Sequence, residues 1–289
     1  MRPAIISIVN RKGGVGKTTL AIALADTIVS EFEHDTALVD LDPQSSASHA
    51  LLNDVNFLGK TESGVTLQQL IGDRIAKKKG DEELYREGMV HRIKDRSHVN
   101  CDLYPNSEKF WDLEAEQQAK DGGQSLRREI GRFLNELKKT GKVVVVDCPP
   151  GQSISALGAV EVSDLVLCPI TPDRFALWGK DQLSKYIEKN AAGKVPRFIV
   201  SRARMNGGAD VVQSIEQLAR QEQMLEIETG EREHAVFGRL APFSDRAGIR
   251  KRIQLEQHKT LDQIYGNEGA LELRNIANAM FREMGKSDG

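Results

Sequence analysis

Between an apolar, β-branched run at residues 4–9 (AIISIV) and an apolar-periodic stretch at 18–30 lies Arg11-Lys12-Gly13-Gly14-Val15-Gly16-Lys17-Thr18-Thr19. A strand, a glycine-rich turn and a helix in immediate succession gather several backbone N–H groups at one helix N-terminus, where the helix dipole also favours negative charge. Glycines at 13, 14 and 16 keep side chains out of the way of a bulky anion. Lys17 can reach the outer phosphates of a triphosphate, the Thr18 hydroxyl can ligate Mg²⁺, and Val15 and Thr19 complete the loop. A glycine-rich turn with a chance lysine would need neither the strand before it nor the helix after it. The pattern therefore predicts a site for ATP and Mg²⁺ at the edge of a sheet.

Further buried-strand runs follow at 36–41 (TALVDL), 143–147 (VVVVD), 165–170 (LVLCPI) and 197–200 (RFIV). Amphipathic stretches at 125–139, 174–189 and 209–223 separate them. In the first of these, Leu126, Ile130, Phe133, Leu134 and Leu137 mark one face. Continuous apolar strands alternating with helices predict an α/β fold, a doubly wound and mostly parallel sheet with helices on both faces. Residues 1–289 read as a single P-loop ATPase domain. The stretch at about 53–122, polar and poor in strand signal, is expected as a helical and loop excursion on its rim.

The charge balance, 40 basic against 42 acidic side chains, excludes a protein coated in positive charge, so any nucleic-acid surface must be local. Cys101, Cys148 and Cys168 form no CxxC pair and imply neither a disulfide framework nor a zinc cluster. No apolar run nears the roughly 18 residues of a membrane span. The first residues do not read as a signal peptide. A cytoplasmic protein is expected.

Three carboxylates accompany the loop. Asp40 and Asp42 close the strand at 36–41, and alternation sets both on one side, near the end where open α/β sheets bind ligands. Beside a triphosphate they would repel it unless a metal or an attacking water lay between. Asp42 also suits a helix N-cap, and the two roles are compatible. Asp147 ends a strand of four valines, at the position where an acid holds Mg²⁺, usually through water. Cys148 reads as a small buried filler.

The loop departs from the ordinary GxxxxGK[ST] pattern: Arg11 stands where glycine is usual, and Lys12 precedes the glycines. KGGVGKT resembles the deviant Walker A box of the ParA/MinD ATPases. Asp40-Leu41-Asp42-Pro43-Gln44 and Asp147-Cys148-Pro149-Pro150 resemble that family's DxDPQ and DxPP boxes. The resemblance implies that Lys12 crosses a dimer interface to the other copy's ATP, that Asp42 orients the attacking water, and that Thr18, Asp40 and Asp147 serve the metal. Lys12, Lys17 and Asp42 are then the catalytic group. It further implies a slow, Mg²⁺-dependent ATP hydrolase stimulated by DNA and by a ParB-like or cargo-adaptor protein. The ATP-bound homodimer would hold DNA non-specifically on the nucleoid, serving plasmid or chromosome partition or cargo positioning.

Pro169-Ile170-Thr171-Pro172-Asp173-Arg174-Phe175-Ala176-Leu177 resembles a family segment near the dimer face, although a core role suits Phe175 and Leu177 as well. The base-contacting place reads Ser201-Arg202-Ala203-Arg204 and departs from the family's Asn or Asp. Residues 239–259 carry six basic side chains against two acidic ones. Arg246, Arg250, Lys251 and Arg252 are the expected DNA contacts, with a solvated helix face as the bland reading.

The alternative is a MinD-like, membrane-cycling regulator of division-site placement. The last helix, about 269–284, is not distinctly basic, so packing on the sheet is expected and membrane binding is not. Nothing resembling a helix-turn-helix region precedes the first strand, so sequence-specific operator binding is not expected. A nitrogenase-like reductase would need a glycine-flanked cysteine pair, which Cys101 and Cys148 do not make. A scaffold that binds nucleotide without hydrolysing it is the remaining competitor.

Overall fold

The computed structural model describes residues 2–52, 54–77, 91–96, 99–173, 175–203, 209–227, 242–244 and 260–286. Its elements in chain order begin with β1 (Ile5–Ile8), α1 (Lys17–Phe32), β2 (Thr36–Asp40), α2 (Ser46–Leu51), α3 (Asp54–Glu62) and α4 (Leu67–Ile75). There follow β3 (His91–Arg96), β4 (Val99–Tyr104), α5 (Phe110–Asp121), α6 (Gln124–Lys139), β5 (Val143–Asp147) and α7 (Ile154–Val162). The last are β6 (Leu165–Ile170), α8 (Ala176–Asn190), β7 (Pro196–Ala203), α9 (Ala209–Ala219), β8 (Pro242–Ser244) and α10 (Leu261–Lys286).

The strands lie in one sheet in the order β3-β4-β2-β5-β1-β6-β7-β8, parallel throughout except for β3 at one edge. The valine run of β5 explains why such strands lack polar alternation. Val144 and Val146 enter the layer formed with α4, α5, α6, α7 and α8, whereas Val143 and Val145 enter the opposite layer with α1 and α10. Each fully buried side chain of this size contributes about 1.5–3 kcal/mol. The chain winds from β1 out to β2 and β4, returns with β5, and then continues on the other side of β1 with β6 and β7. β1 therefore ends where the winding reverses, which is where sheets of this kind form a crevice.

The stretch at 53–122 departs from its expected form. It holds α3, α4 and α5 but also β4, which pairs with β2 from Thr36↔Cys101 to Val39↔Tyr104. The segment VNCDLY hides its strand because Asn100 and Asp102 interrupt the apolar pattern. Asp102 is accommodated by Lys142, whose Nζ lies 2.8 Å away, and the backbone N–H of Asn100 donates to Asp35 at 2.8 Å.

α6 and α7 approach closely because Gly158 carries no side chain. A Cβ there would stand 2.9 Å from both Cα and the carbonyl oxygen of Arg127. We expect Gly158→Ala to destabilise the fold by about 1–3 kcal/mol, the usual cost of overpacking. A urea melt indistinguishable from wild type would mean that the two helices part freely.

Candidate functional site

The glycine-rich loop leaves β1 and re-enters regular structure at α1, with Gly14 at φ 73° and Gly16 at φ 93°. These left-handed conformations favour glycine. A Cβ added at Gly13 or Gly14 would meet no atom within 4 Å, so both positions border open space. The loop is braced from both sides. The Gly151 N–H donates to Arg11 O at 3.0 Å, Asn10 Nδ2 to Pro169 O at 2.6 Å, and the Ser201 hydroxyl to Val15 O. Lys17 is buried in the first turn of α1, its Nζ 3.4 Å from Lys12 O. Burial lowers its pKa, while Asp147 and Asp42 pull the other way.

Strand register brings the acids to the same edge. Asp147 stands opposite Ile8 of β1 on one side and Asp40 of β2 on the other. Asp147 is completely buried, and neither carboxylate oxygen has a partner at hydrogen-bond geometry. Burial drives its pKa well above the usual carboxylate range and Asp40 adds to this, while Thr18 and Lys17 favour the charged form. Asp40 is equally buried, but its oxygens are occupied. Oδ2 accepts from the N–H and hydroxyl of Ser48 at 2.8 and 2.7 Å, and Oδ1 accepts from the Asp42 N–H at 3.2 Å. Burial pushes its pKa to about 7. Asp42 accepts from the Gln44 N–H at 2.9 Å. Burial raises its pKa, with Lys17 opposing. The N-cap residue of α2 is Ser45, not Asp42.

An orphaned, buried carboxylate beside a hydroxyl and across from a lysine is the donor set that a hard divalent cation satisfies. Among the described residues no three His, Cys, Asp or Glu side chains converge as a ready-made metal cage. A cation at Asp147 and Thr18 would take its other oxygens from phosphate and water, as Mg²⁺ does. Cys148 is buried and its thiol pKa is pushed up, which suits the filler role.

Lys12 points outward, and its Nζ rests 2.8 Å from Asp173 Oδ2. Asp173 also accepts from the Phe175 N–H at 2.9 Å and the Thr171 hydroxyl at 3.0 Å. Burial works against its charge, but these bonds outweigh it and hold the carboxyl below its usual range. Beside the pair opens a cavity of about 500 Å³, walled partly by Val15, Ile170, Phe175 and Trp178. Phe175 is 58% and Trp178 67% exposed, so neither is a core residue. Leu177 is half-buried against the core. Sequence reading missed two partners, Asp173 for Lys12 and Ser48 for Asp40, because neither contact carries a local spacing signal.

Arg246, Arg250, Lys251 and Arg252 lie outside the described residues, as do Arg204 and Arg174. The final helix buries Leu273, Ile276 and Met280 against the layer that contains α1. None of the described helices is long and apolar enough to cross a membrane.

A family model for an AAA domain matches residues 3–200, from β1 into β7 and across the loop and all three acids. The chain belongs to this family, as a ParA/MinD-type member. The chromosome partitioning protein ParA of Myxococcus xanthus is 31% identical over 193 residues, covering 66% of this chain and 60% of that one. The matches span between 60% and 66% of the length of four curated relatives. Among solved structures, a plasmid partition protein from Borrelia burgdorferi aligns over 98% of this chain and 100% of its own, with TM-score 0.70 and 19% identity. Cobyrinic acid a,c-diamide synthase from Mycobacterium smegmatis, with bound ADP and magnesium, aligns over 99% and 97% with TM-score 0.68 and 17% identity. A partition protein and a synthase share this AAA-domain fold, so the architecture alone does not select an activity.

Proposed function

We propose that this chain is a ParA-type ATPase that cycles between nucleotide states to partition DNA or position a cargo. The observation that carries this reading is the pair of lysines on one loop. Lys17 is buried and turned toward Asp42 and Asp147, while Lys12 is exposed and turned outward. In this reading the first serves the copy's own nucleotide. The second is available to a neighbouring molecule.

In this reading the N–H groups of residues 13–19 cradle the phosphates of ATP and Lys17 holds the outer ones. Thr18 and Asp147 would hold Mg²⁺, which when bound neutralises charge on the phosphates. Asp40, spent on Ser48 and the Asp42 N–H, acts one remove from the metal by fixing the loop that carries Asp42. Asp42 aims the attacking water. Lys12 of each copy leaves Asp173 and reaches the phosphates held by the other copy, closing a face-to-face homodimer. The dimer holds DNA non-specifically on the nucleoid, and hydrolysis, stimulated by DNA and by a ParB-like or cargo-adaptor protein, releases it. The membrane-cycling alternative draws no support from α10, whose apolar face is already buried.

The test combines random-sequence duplex binding with phosphate release. Wild type should bind duplex with ATP and Mg²⁺ but not with ADP. Asp42→Ala should bind ATP and duplex normally yet release phosphate about a hundredfold more slowly, the scale of losing one preorganised catalytic group. Turnover equal to wild type would remove Asp42 from catalysis, and nucleotide-independent duplex binding would sink the cycle.

A further inference from the structure

Away from the phosphate loop and the strand ends, a groove of about 540 Å³ runs between the C-terminal end of α4 and the outer flank of α6. Its walls carry Arg74, Lys77, Arg128 and Arg132 against two acids, Glu129 and Glu136. In a chain with more acidic than basic side chains this is a local positive excess. The arrangement of the acids strengthens the point. Glu129 is nearly buried at the base of α6 and lies against two guanidiniums at once: its Oε1 is 2.7 Å from Arg132 Nη1 and 3.8 Å from Arg128 Nε. The carboxylate hydrogen-bonds Arg132 and lies within ion-pair distance of Arg128, and both arginines, 62% and 60% exposed, keep most of their N–H donors facing solvent. Glu136 occupies one edge of Arg74 at 2.9 Å, and the Arg74 guanidinium also lies over the Phe133 ring.

Arginine presents a planar fork to phosphate oxygens, and less side-chain freedom is lost per hydrogen bond formed than with lysine. Arg128 and Arg132 are one helical turn apart on the same face. The groove contains no residue of the nucleotide site, so an occupant would not displace ATP.

We propose that this groove is a contact surface for the phosphate backbone of duplex DNA, formed by residues other than those of 239–259. The proposal rests on the DNA-binding part of the function above and gives it a location on the described residues.

The test uses the full chain with ATP and Mg²⁺, a fluorescein-labelled random duplex and anisotropy across a salt series. Arg128→Glu combined with Arg132→Glu should weaken binding at least tenfold. It should also flatten the dependence of log affinity on log salt by about two units, one per lost phosphate contact. Thermal melting and nucleotide binding of the variant check its folding. Unchanged affinity and slope would overturn the proposal, the more so if Arg250→Glu with Arg252→Glu abolishes binding. A wild type that dimerises and hydrolyses ATP without binding duplex defeats the groove and leaves the ATPase reading intact. Salt-dependent duplex binding through Arg128 and Arg132 in a protein that hydrolyses no ATP does the reverse.

Discussion

Asp147→Asn is expected to raise the thermal midpoint of the Mg²⁺-free protein at neutral pH and to lower Mg²⁺-dependent ATP hydrolysis by about a hundredfold or more. The two effects have one cause. Asp147 is wholly buried with both oxygens unpartnered, and Asp40 lies directly opposite in the register. Such a carboxylate destabilises the empty protein whenever it is ionised, and asparagine keeps its shape without the charge. The pH dependence follows from the direction of the shifts. Burial raises the folded-state pKa of Asp147 well above the usual range and that of Asp40 to about 7. A raised carboxylate pKa contributes stability that is complete below the unfolded value and is lost as pH rises through the folded one. Through Asp40 the Mg²⁺-free wild type should therefore lose stability between about pH 4 and 7, and Asp147 adds a loss of the same sign as pH rises. The gap between Asp147→Asn and wild type should widen in the same direction. Differential scanning fluorimetry from pH 5 to 8 reads both, and ATP with Mg²⁺ should narrow the gap by giving Asp147 a counter-charge. A variant that melts with wild type at every pH, or hydrolyses ATP at its rate, would contradict the metal-holding role.

What could be read from the chain alone divides according to how the information is stored. The phosphate loop was legible because strand, glycines, lysine and helix are contiguous, and the backbone geometry they impose is local. The core strands were legible because double-sided burial writes itself as an unbroken run, as in the four valines of β5. β4 was not, because its Asp102 is paired with Lys142 and the Asn100 backbone N–H with Asp35, about 40 and 65 residues away in sequence. The acids show the same division. Their places at strand ends were readable, yet the difference between Asp40, whose oxygens are engaged, and Asp147, whose oxygens are not, depends on Ser48. No spacing rule points to Ser48. The exposure of Phe175 was not legible, since apolar character alone does not separate an exposed aromatic at a helix start from a core residue.

The second large effect concerns Lys12. Lys12→Ala should abolish ATP-dependent dimerisation, read by sedimentation velocity with ATP and Mg²⁺, while leaving monomer stability and nucleotide affinity close to wild type. Stability should hold because Lys12 is 62% exposed and its pair with Asp173 is a surface ion pair of the kind worth about 0–1 kcal/mol. Affinity should hold because Lys17, Thr18 and the loop N–H groups are untouched. That separation gives the experiment its force: a missing dimer cannot then be blamed on unfolding or on an empty site. Asp173→Asn supplies the converse. It removes the carboxylate that holds Lys12 to its own chain, so it should dimerise at least as tightly as wild type and lose that gain when combined with Lys12→Ala. If Asp173→Asn instead dimerises more weakly, Asp173 belongs to the interface and not to the resting state. If Lys12→Ala dimerises normally, the second lysine of the loop is only a neighbour of the phosphates, and ATP would have to join two copies by some other group.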